Sequence, residues 1–223
     1  RIPTHTHPDD PAFGPSGLWA AGDDYKASFH DGFAFYPRLG PDYPENLPLV
    51  WHTESVTVGG KAIVSSEPAT TRHDDWRFEL RHAGVIERYD VRPDGVEQTF
   101  TLPERPAWAG DWVVTGRVTT RLHAAVTAAA THGELAFADH LGLTRVRYGA
   151  ATAIDAAGEK MPVATHFDGQ RIRLTVPGEW LARARFPVLL DPLTSAGGGA
   201  TLDAAHVDIG TTHTSLQDRT DHI

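Results

Sequence analysis

Two histidines and an aspartate near the beginning of the chain form its sharpest local group of metal-ligating side chains. In an extended backbone His5 and His7 point the same way, and Asp9 follows in phase with them. Two imidazoles and a carboxylate are ligands of the kind that zinc and copper sites use. The competing interpretation is a disordered polar arm, which is common at chain termini. His5, His7 and Asp9 are therefore the candidate metal site.

Acidic pairs in the loops are a second source of ligands, because carboxylates bind calcium and calcium is common outside cells. None of the pairs has the spacing of an EF-hand, and acidic residues in loops are usually solvated or cap turns. We therefore expect no cofactor, with calcium as the alternative. The pairs are Asp23-Asp24, Asp74-Asp75 and Asp203 with Asp208.

Tryptophans offer a third kind of site, a platform on which a sugar ring stacks. The chain has six of them, and tryptophans more often lie in the core or at its rim than on an open surface. Trp108 and Trp112 flank a turn, which makes them the best candidates for an exposed ligand-binding pair.

Several classes of function are disfavoured by what the sequence lacks. It has no cysteine, so thiolate nucleophiles, disulfides and cysteine-ligated zinc are excluded. It has neither the G-x-S-x-G motif of serine hydrolases nor a phosphate-binding glycine loop before a helix. A formal net charge of -9 disfavours nucleic acid and anionic membranes as partners. No apolar run approaches the roughly 20 residues that span a bilayer.

The composition allows a large folded unit. Hydrophobic residues make up 40 % of the 223 residues, which suits one large domain or two small ones. The chain begins with Arg1 rather than Met and shows no apolar signal core. We therefore expect it to be a processed or excised piece of a longer protein.

The clearest prediction of secondary structure is for Trp76 to Leu102. The alternation of apolar and polar residues there predicts three antiparallel strands. Turn signals at Ala83-Gly84 and at Pro93-Asp94-Gly95 set the register. In that register the apolar residues share one face and opposite charges pair on the other, and a slip of one residue would destroy both. The predicted cross-strand pairs are Glu79 with Arg88, Arg77 with Asp90, Leu80 with Glu87, Phe78 with Tyr89, Tyr89 with Gln98, Val91 with Val96 and Glu87 with Phe100.

Glu87 is the exception on the apolar face of this meander. The register places it between Leu80 and Phe100, with Gln98 diagonal to it. A buried carboxylate can serve as an acid or a base. The alternatives are a β-bulge that turns it outward or an arginine partner from another strand. A glycosidase would need a second acid across a cleft, and the other acidic residues of the meander point to the opposite face.

The rest of the chain reads as further short strands joined by turns, so the fold class is all-β. We expect an antiparallel β-sandwich or layered sheets with a dozen or more strands, and one short helical turn near residues 179–184. The alanine-rich piece 124–130 is expected to be a strand. Residues 1–17 are an extended arm, 18–193 are the domain with a possible subdivision near 103–110, and 194–223 are a linker or the start of another unit.

The closing segment resembles a known module. It has a W-x3-A-x-FP-x3-DP pattern, made here by Trp180, Ala184, Phe186-Pro187 and Asp191-Pro192. This pattern is similar to the end of an N-terminal all-β module found in large secreted bacterial surface proteins. In those proteins the module precedes Rhs/YD, β-propeller-like or other extracellular β repeats. The resemblance implies a place outside the cell and a structural or interaction role, with no catalytic residue to carry over.

Three functions follow as hypotheses. The first is a non-enzymatic structural or assembly module of a larger secreted or surface protein, whose partners are other domains of that protein or copies of itself through the terminal segments. The alternative is a carbohydrate-binding module that uses Trp108 and Trp112. The third is a carboxylate-dependent glycoside hydrolase centred on Glu87.

Overall fold

The computed structural model describes residues 5–6, 18–39, 46–64, 69–127 and 129–197. Within these ranges the elements are, in chain order, β1 (His5–Thr6), β2 (Leu18–Ala21), β3 (Tyr25–Phe29), β4 (Gly32–Pro37), β5 (Leu49–Val58), β6 (Lys61–Ala62), β7 (Thr70–Asp74), β8 (Arg77–Arg81), β9 (Ile86–Arg92), β10 (Gly95–Leu102), β11 (Trp112–Thr120), β12 (Leu135–Ala138), β13 (Thr144–Tyr148), β14 (Thr152–Ile154), β15 (Lys160–Pro162), β16 (Ala164–Phe167), β17 (Arg171–Val176), α1 (Gly178–Arg183), β18 (Val188–Asp191) and β19 (Leu193–Ala196).

The strands form two antiparallel sheets. Sheet A has the order β1-β2-β3-β4-β5-β11-β17-β16, with β6 paired to β5. Sheet B has the order β12-β13-β19-β10-β18-β14-β15, and β9, β8 and β7 branch in turn from β10. The predicted all-β, antiparallel sandwich with more than a dozen strands is therefore confirmed.

Strand β10 is the centre of sheet B. Along one edge it pairs with β9 over residues 95–101. Its other edge is shared, because β19 pairs with residues 95–97 and β18 with residues 100–102. Between these two partners the backbone N–H of Gln98 donates to the backbone carbonyl of Pro192 at 3.0 Å. β18 and β19 thus pair with the same edge of β10, one after the other.

The core lies between the sheets and is rich in aromatic rings. Trp51 of sheet A packs against Phe100 and Tyr148 of sheet B, with centroids 6.3 and 5.6 Å apart. Phe33 of sheet A packs on Tyr89 of sheet B at 5.0 Å. All five side chains have no exposed surface. Rings at these separations add to the hydrophobic stabilisation that their burial provides.

The meander has the register that its sequence predicts. Arg77 pairs with Asp90, Glu79 with Arg88 and Leu80 with Glu87. The second hairpin also has the predicted register, with Val91 opposite Val96, and its ladder extends one pair further, to Arg92 and Gly95. The short helix is confirmed as well: α1 follows Pro177, whose fixed φ suits the beginning of a helix.

The strand predicted for the alanine-rich piece is wrong. Within 123–131, leaving out 128, the backbone makes isolated contacts instead of a ladder, with bridges from His123 to Ala138 and from Thr131 to Thr165. Thr127 N–H also donates to the Phe167 carbonyl. Alanine side chains bury little area, so nothing on this segment favours a continuous pleated surface.

The described part of the chain does not divide at residues 103–110. Strands from both sides of that connection lie in both sheets, and their side chains share one hydrophobic core. The fold also extends past residue 193, because Thr194 to Ala196 pair with both β10 and β13. The beginning of the expected linker is therefore a strand.

Candidate functional site

Strand β5 has a β-bulge at Glu54, next to the first residue of the site, Thr53. Glu54 is an extra residue at the point where the register between β5 and β11 shifts. The bulge changes the facing of later residues, so Thr53 and Val56 both point toward the core although they are an odd number of positions apart. Glu54 itself points outward and accepts hydrogen bonds from Arg117 and Arg171 at 2.5 and 2.6 Å. These hydrogen bonds lower the pKa of Glu54.

A glycine places the tryptophan beside Thr53. Trp51 lies against Gly116 of β11 so closely that a Cβ on Gly116 would stand 2.0 Å from the indole. Only glycine allows this approach. The indole Nε1–H donates to Thr53 Oγ1 at 2.9 Å. The hydroxyl is thereby held at the interface of the two sheets.

Glu87 is the hub of the site. Its side chain is fully buried, as the meander register predicts, and the alternative in which a bulge turns it outward is wrong. Its Oε1 accepts from Thr53 Oγ1 at 2.8 Å, from Gln98 Nε2 at 3.1 Å and from the Tyr89 hydroxyl. Three donors on one oxygen compensate for the loss of water, as a buried carboxylate requires.

The hydrogen bonds continue from Gln98 to the edge of the core. The Tyr148 hydroxyl donates to Gln98 Oε1 at 3.1 Å. The Tyr148 ring is stacked on Trp51 with an interplanar angle of 8°. Burial, followed by the Glu87 charge, raises the pKa of Tyr89 and of Tyr148 well above the usual value. Both hydroxyls therefore remain protonated donors at neutral pH.

The second oxygen of Glu87 has a different environment. Among the described residues, Glu87 Oε2 has no hydrogen-bond partner and neither ring nitrogen of His82 has one, although all three atoms are buried. His82 Nε2 lies 3.9 Å from this oxygen. We call Thr53, His82, Glu87, Tyr89, Gln98 and Tyr148 together the buried polar cluster.

The buried polar cluster spans the two sheets, with Glu87, Tyr89, Gln98 and Tyr148 fully buried and Thr53 and His82 partly exposed. Thr53 comes from sheet A and the other strand residues come from sheet B. Within the part of the chain that the structure describes, the side chains bonded to Glu87 or within 4 Å of it as ion-pair partners include no carboxylate. A glycosidase needs a second carboxylate about 5 to 10 Å away across an open cleft. The arrangement instead joins a hydroxyl, a carboxamide and a base inside the core.

Sequence reasoning found only part of this cluster. The meander register placed Glu87 beside Gln98 and gave Tyr89 its position. Thr53, His82 and Tyr148 were missed as functional residues. Thr53 carries a signal, because it lies two residues after Trp51 and strand alternation puts both on one face, but its contact with Glu87 depends on how the two sheets pack.

The outer face of β7, β8 and β9 carries charged side chains. Glu79 accepts from Arg81 at 2.7 Å and from Arg88 at 3.0 Å, and Arg77 makes a two-bonded pair with Asp90. A cavity of about 230 Å³ lies among them. These groups pair with one another, three arginines with two carboxylates, so most of the charge on this face is compensated locally.

A second surface cavity, of about 400 Å³, lies beside this face. It is lined by Trp76, Asp90, Arg92, Pro93, Asp94 and Glu97. Burial raises the pKa of nearby Asp191 to about 6, and the charge of Glu97 acts in the same direction. The Arg77 guanidinium lies 4.4 Å from the centre of the Trp76 ring. One aromatic ring and several carboxylates thus border one hollow.

The predicted exposed pair of tryptophans does not exist. Trp112 has no exposed surface, because it lies in phase with the inward residues of β11. Trp108 is half-buried, donates its Nε1–H to the Val58 carbonyl at 2.6 Å and lies under Lys61. The expectation that Trp108 and Trp112 together form an exposed ligand site is wrong.

The candidate metal ligands are only partly covered by the structure. His5 lies in β1, opposite Trp19 of β2, whereas His7 and Asp9 lie outside the described residues. Asp203 and Asp208 lie outside them as well. Among the residues that the structure describes, no three His, Cys, Asp or Glu side chains are grouped to hold a metal ion.

Comparison of the chain with family models, curated proteins and solved structures found no match. Within the described ranges, no helix has the length and apolar character needed to cross a membrane.

Proposed function

We propose that the chain is a non-enzymatic structural module of a larger secreted or surface protein. The observation that carries this proposal is the position of the last described strand. β19 lies inside sheet B, with β13 on one side and β10 on the other. Whatever follows residue 197 is attached to the middle of a sheet, so a pull on it acts along two hydrogen-bonded ladders at once.

The buried polar cluster supports a structural role. Its carboxylate, amide and tyrosine hydroxyls are fully buried, so an external substrate has no route to them in this state. All its members except His82 are joined by hydrogen bonds, and such a network favours one arrangement of a core. We therefore infer that the cluster holds the two sheets together.

The structure limits which terminal residues are available for self-association. The described piece of the N-terminal arm, β1, pairs with β2, and β19 pairs within its own sheet. Self-association through the ends would therefore use residues outside the described ranges. The partners proposed here are the neighbouring domains of the same protein.

The proposal is tested by pulling on β19 in two directions. Because the chain has no cysteine, a single handle can be attached at Leu141→Cys or at Ala150→Cys, with the other handle at the C-terminus. Both positions are exposed and flank β13. β13 and β19 are antiparallel. Pulling from position 150 therefore shears the pair, and pulling from position 141 unzips it.

A force-bearing module resists shear much better than unzipping. We expect the Ala150→Cys chain to unfold at clearly higher force than the Leu141→Cys chain. Equal low forces in both geometries would show that β19 carries no load and would overturn the proposal.

Carbohydrate binding is the second candidate, at a site other than the one expected from the sequence. The hollow beside Trp76 combines an aromatic ring with the carboxylates of Asp90 and Glu97. Rings stack on sugars and carboxylates accept their hydroxyl hydrogens. A glycan screen tests this: binding that is lost in Trp76→Ala and kept in Trp108→Ala supports it, and no binding by the wild-type chain removes it.

A further inference from the structure

We propose that Thr53 and Gln98 react with each other to form an ester bond, which ties sheet A to sheet B covalently. The inference goes beyond the proposed structural role and rests on the geometry of the buried polar cluster alone. Thr53 lies on β5 and Gln98 on β10, so the bond would cross the core between the two sheets.

The nucleophile and its base are already in contact. The Thr53 hydroxyl donates to Glu87 Oε1 at 2.8 Å while its own oxygen accepts from Trp51 Nε1 at 2.9 Å. A hydroxyl held against a carboxylate in this way is the usual arrangement of an activated nucleophile. Glu87 is the group that takes the hydroxyl proton.

The carboxamide of Gln98 is oriented as an acyl donor. Its nitrogen, which is the leaving group, donates to the same Glu87 oxygen at 3.1 Å. Its carbonyl oxygen, on which negative charge develops during attack, accepts from the Tyr148 hydroxyl at 3.1 Å. One carboxylate oxygen therefore contacts both the nucleophile and the leaving group, and a separate donor stabilises the oxyanion.

The reaction needs no cofactor or oxidant. Thr53 Oγ1 leaves the carboxylate, attacks Gln98 Cδ and forms the C–O bond. Its proton passes to Glu87 and from there to the departing nitrogen. The Cδ–Nε2 bond breaks and one molecule of ammonia is released. His82 Nε2 lies 3.9 Å from Oε2, the other carboxylate oxygen of Glu87.

Burial favours this outcome over hydrolysis. Glu87, Gln98, Tyr89 and Tyr148 have no exposed surface, so water does not compete with Thr53 for the acyl carbon. Holding the hydroxyl and the carboxamide on one oxygen also replaces a bimolecular encounter by an intramolecular one, which accounts for large accelerations.

The mass of the purified full chain decides the question without any variant. Ester formation with loss of ammonia lowers the intact mass by about 17 Da relative to the mass calculated from the sequence. Digestion is then expected to give one linked peptide pair that contains Thr53 and Gln98. Thr53→Val and Glu87→Gln are expected to have their full calculated masses. Thr57→Val, on the same strand, is the matched control and is expected to keep the loss.

Two results overturn the inference. One is a wild-type chain at its full calculated mass. The other is a gain of about 1 Da at Gln98, which would mean that water and not Thr53 had attacked the carboxamide. Neither result bears on the pulling experiment, because β19 pairs with its neighbours whether or not the core is linked.

Discussion

Gly116→Ala tests how the buried polar cluster is built. The added Cβ would lie 2.0 Å from Cζ2 and 2.3 Å from two further atoms of the Trp51 ring. Atoms do not approach so closely, so the indole must move. When it moves, it loses its hydrogen bond to Thr53 and its stacking on Tyr148.

The cost follows from these three effects. Overpacking of a core costs about 1–3 kcal/mol, a lost hydrogen bond about 1 kcal/mol and a disturbed aromatic pair about 1 kcal/mol. Replacing glycine restricts the unfolded chain and offsets about 0.5 kcal/mol. We therefore expect the free energy of unfolding to fall by about 2.5–4.5 kcal/mol.

Urea unfolding followed by tryptophan fluorescence measures this change. Gly133→Ala is the matched control, because its Cβ would meet only Thr131 Oγ1 at 3.4 Å, and we expect it to be nearly neutral. If Gly116→Ala unfolds within 1 kcal/mol of the wild-type chain, the indole is not held where the structure places it and the description of the cluster is refuted.

Three further predictions concern other parts of the molecule. Tyr148→Phe removes the donor to Gln98 Oε1 but keeps the ring, so the free energy of unfolding should fall by about 1 kcal/mol; no loss in urea unfolding would mean that this hydrogen bond is absent. The pKa of Asp191 is raised from 3.8 to about 6 in the folded chain, so the folded state binds the proton more tightly and loses stability as the pH rises from about 4 to 6. Asp191→Asn should therefore raise the melting temperature at pH 7 and leave it unchanged near pH 3, and an equal gain at both values would contradict the assignment. A chain ending at residue 192 lacks β19 and leaves β10 and β13 without a shared partner, so it should unfold or aggregate in light scattering while a chain ending at 197 stays folded; equal behaviour of the two would refute the role of β19.

Local pattern was sufficient for the meander. Its two turns are short, and the apolar face and the charge pairs both require the same register, so Glu79 with Arg88 and Leu80 with Glu87 were predictable. The burial of Glu87 followed from that register. The residues in these contacts are close in sequence, so the local pattern of residues 76–102 is enough to predict them.

Contacts that join distant strands were not predictable from local pattern. Thr53 reaches Glu87 only because sheets A and B pack face to face, and Tyr148 reaches Gln98 only because β19 lies between their strands. The residues of β19 look like a linker, since Thr194 and Ser195 are polar and glycines follow. Their strand character comes from pairing with β10 and β13, which tertiary structure supplies and local propensity does not.

The error over Trp112 has a simpler cause. Trp112 is in phase with Val114 and Val118 on β11, and both of these are buried. The alternation of that strand therefore already assigns Trp112 to the core face. The phase of a strand residue is a stronger signal than its position beside a turn, because a strand residue cannot change faces without a bulge.

Amide hydrogen exchange of β19 is the most direct test of the central claim, that the closing strand is an integral part of sheet B. The account predicts that the β19 amides bonded to β10 and β13 exchange as slowly as those of β10, through global unfolding. Exchange of β19 at the rate of a frayed terminus, while β10 stays protected, would contradict it.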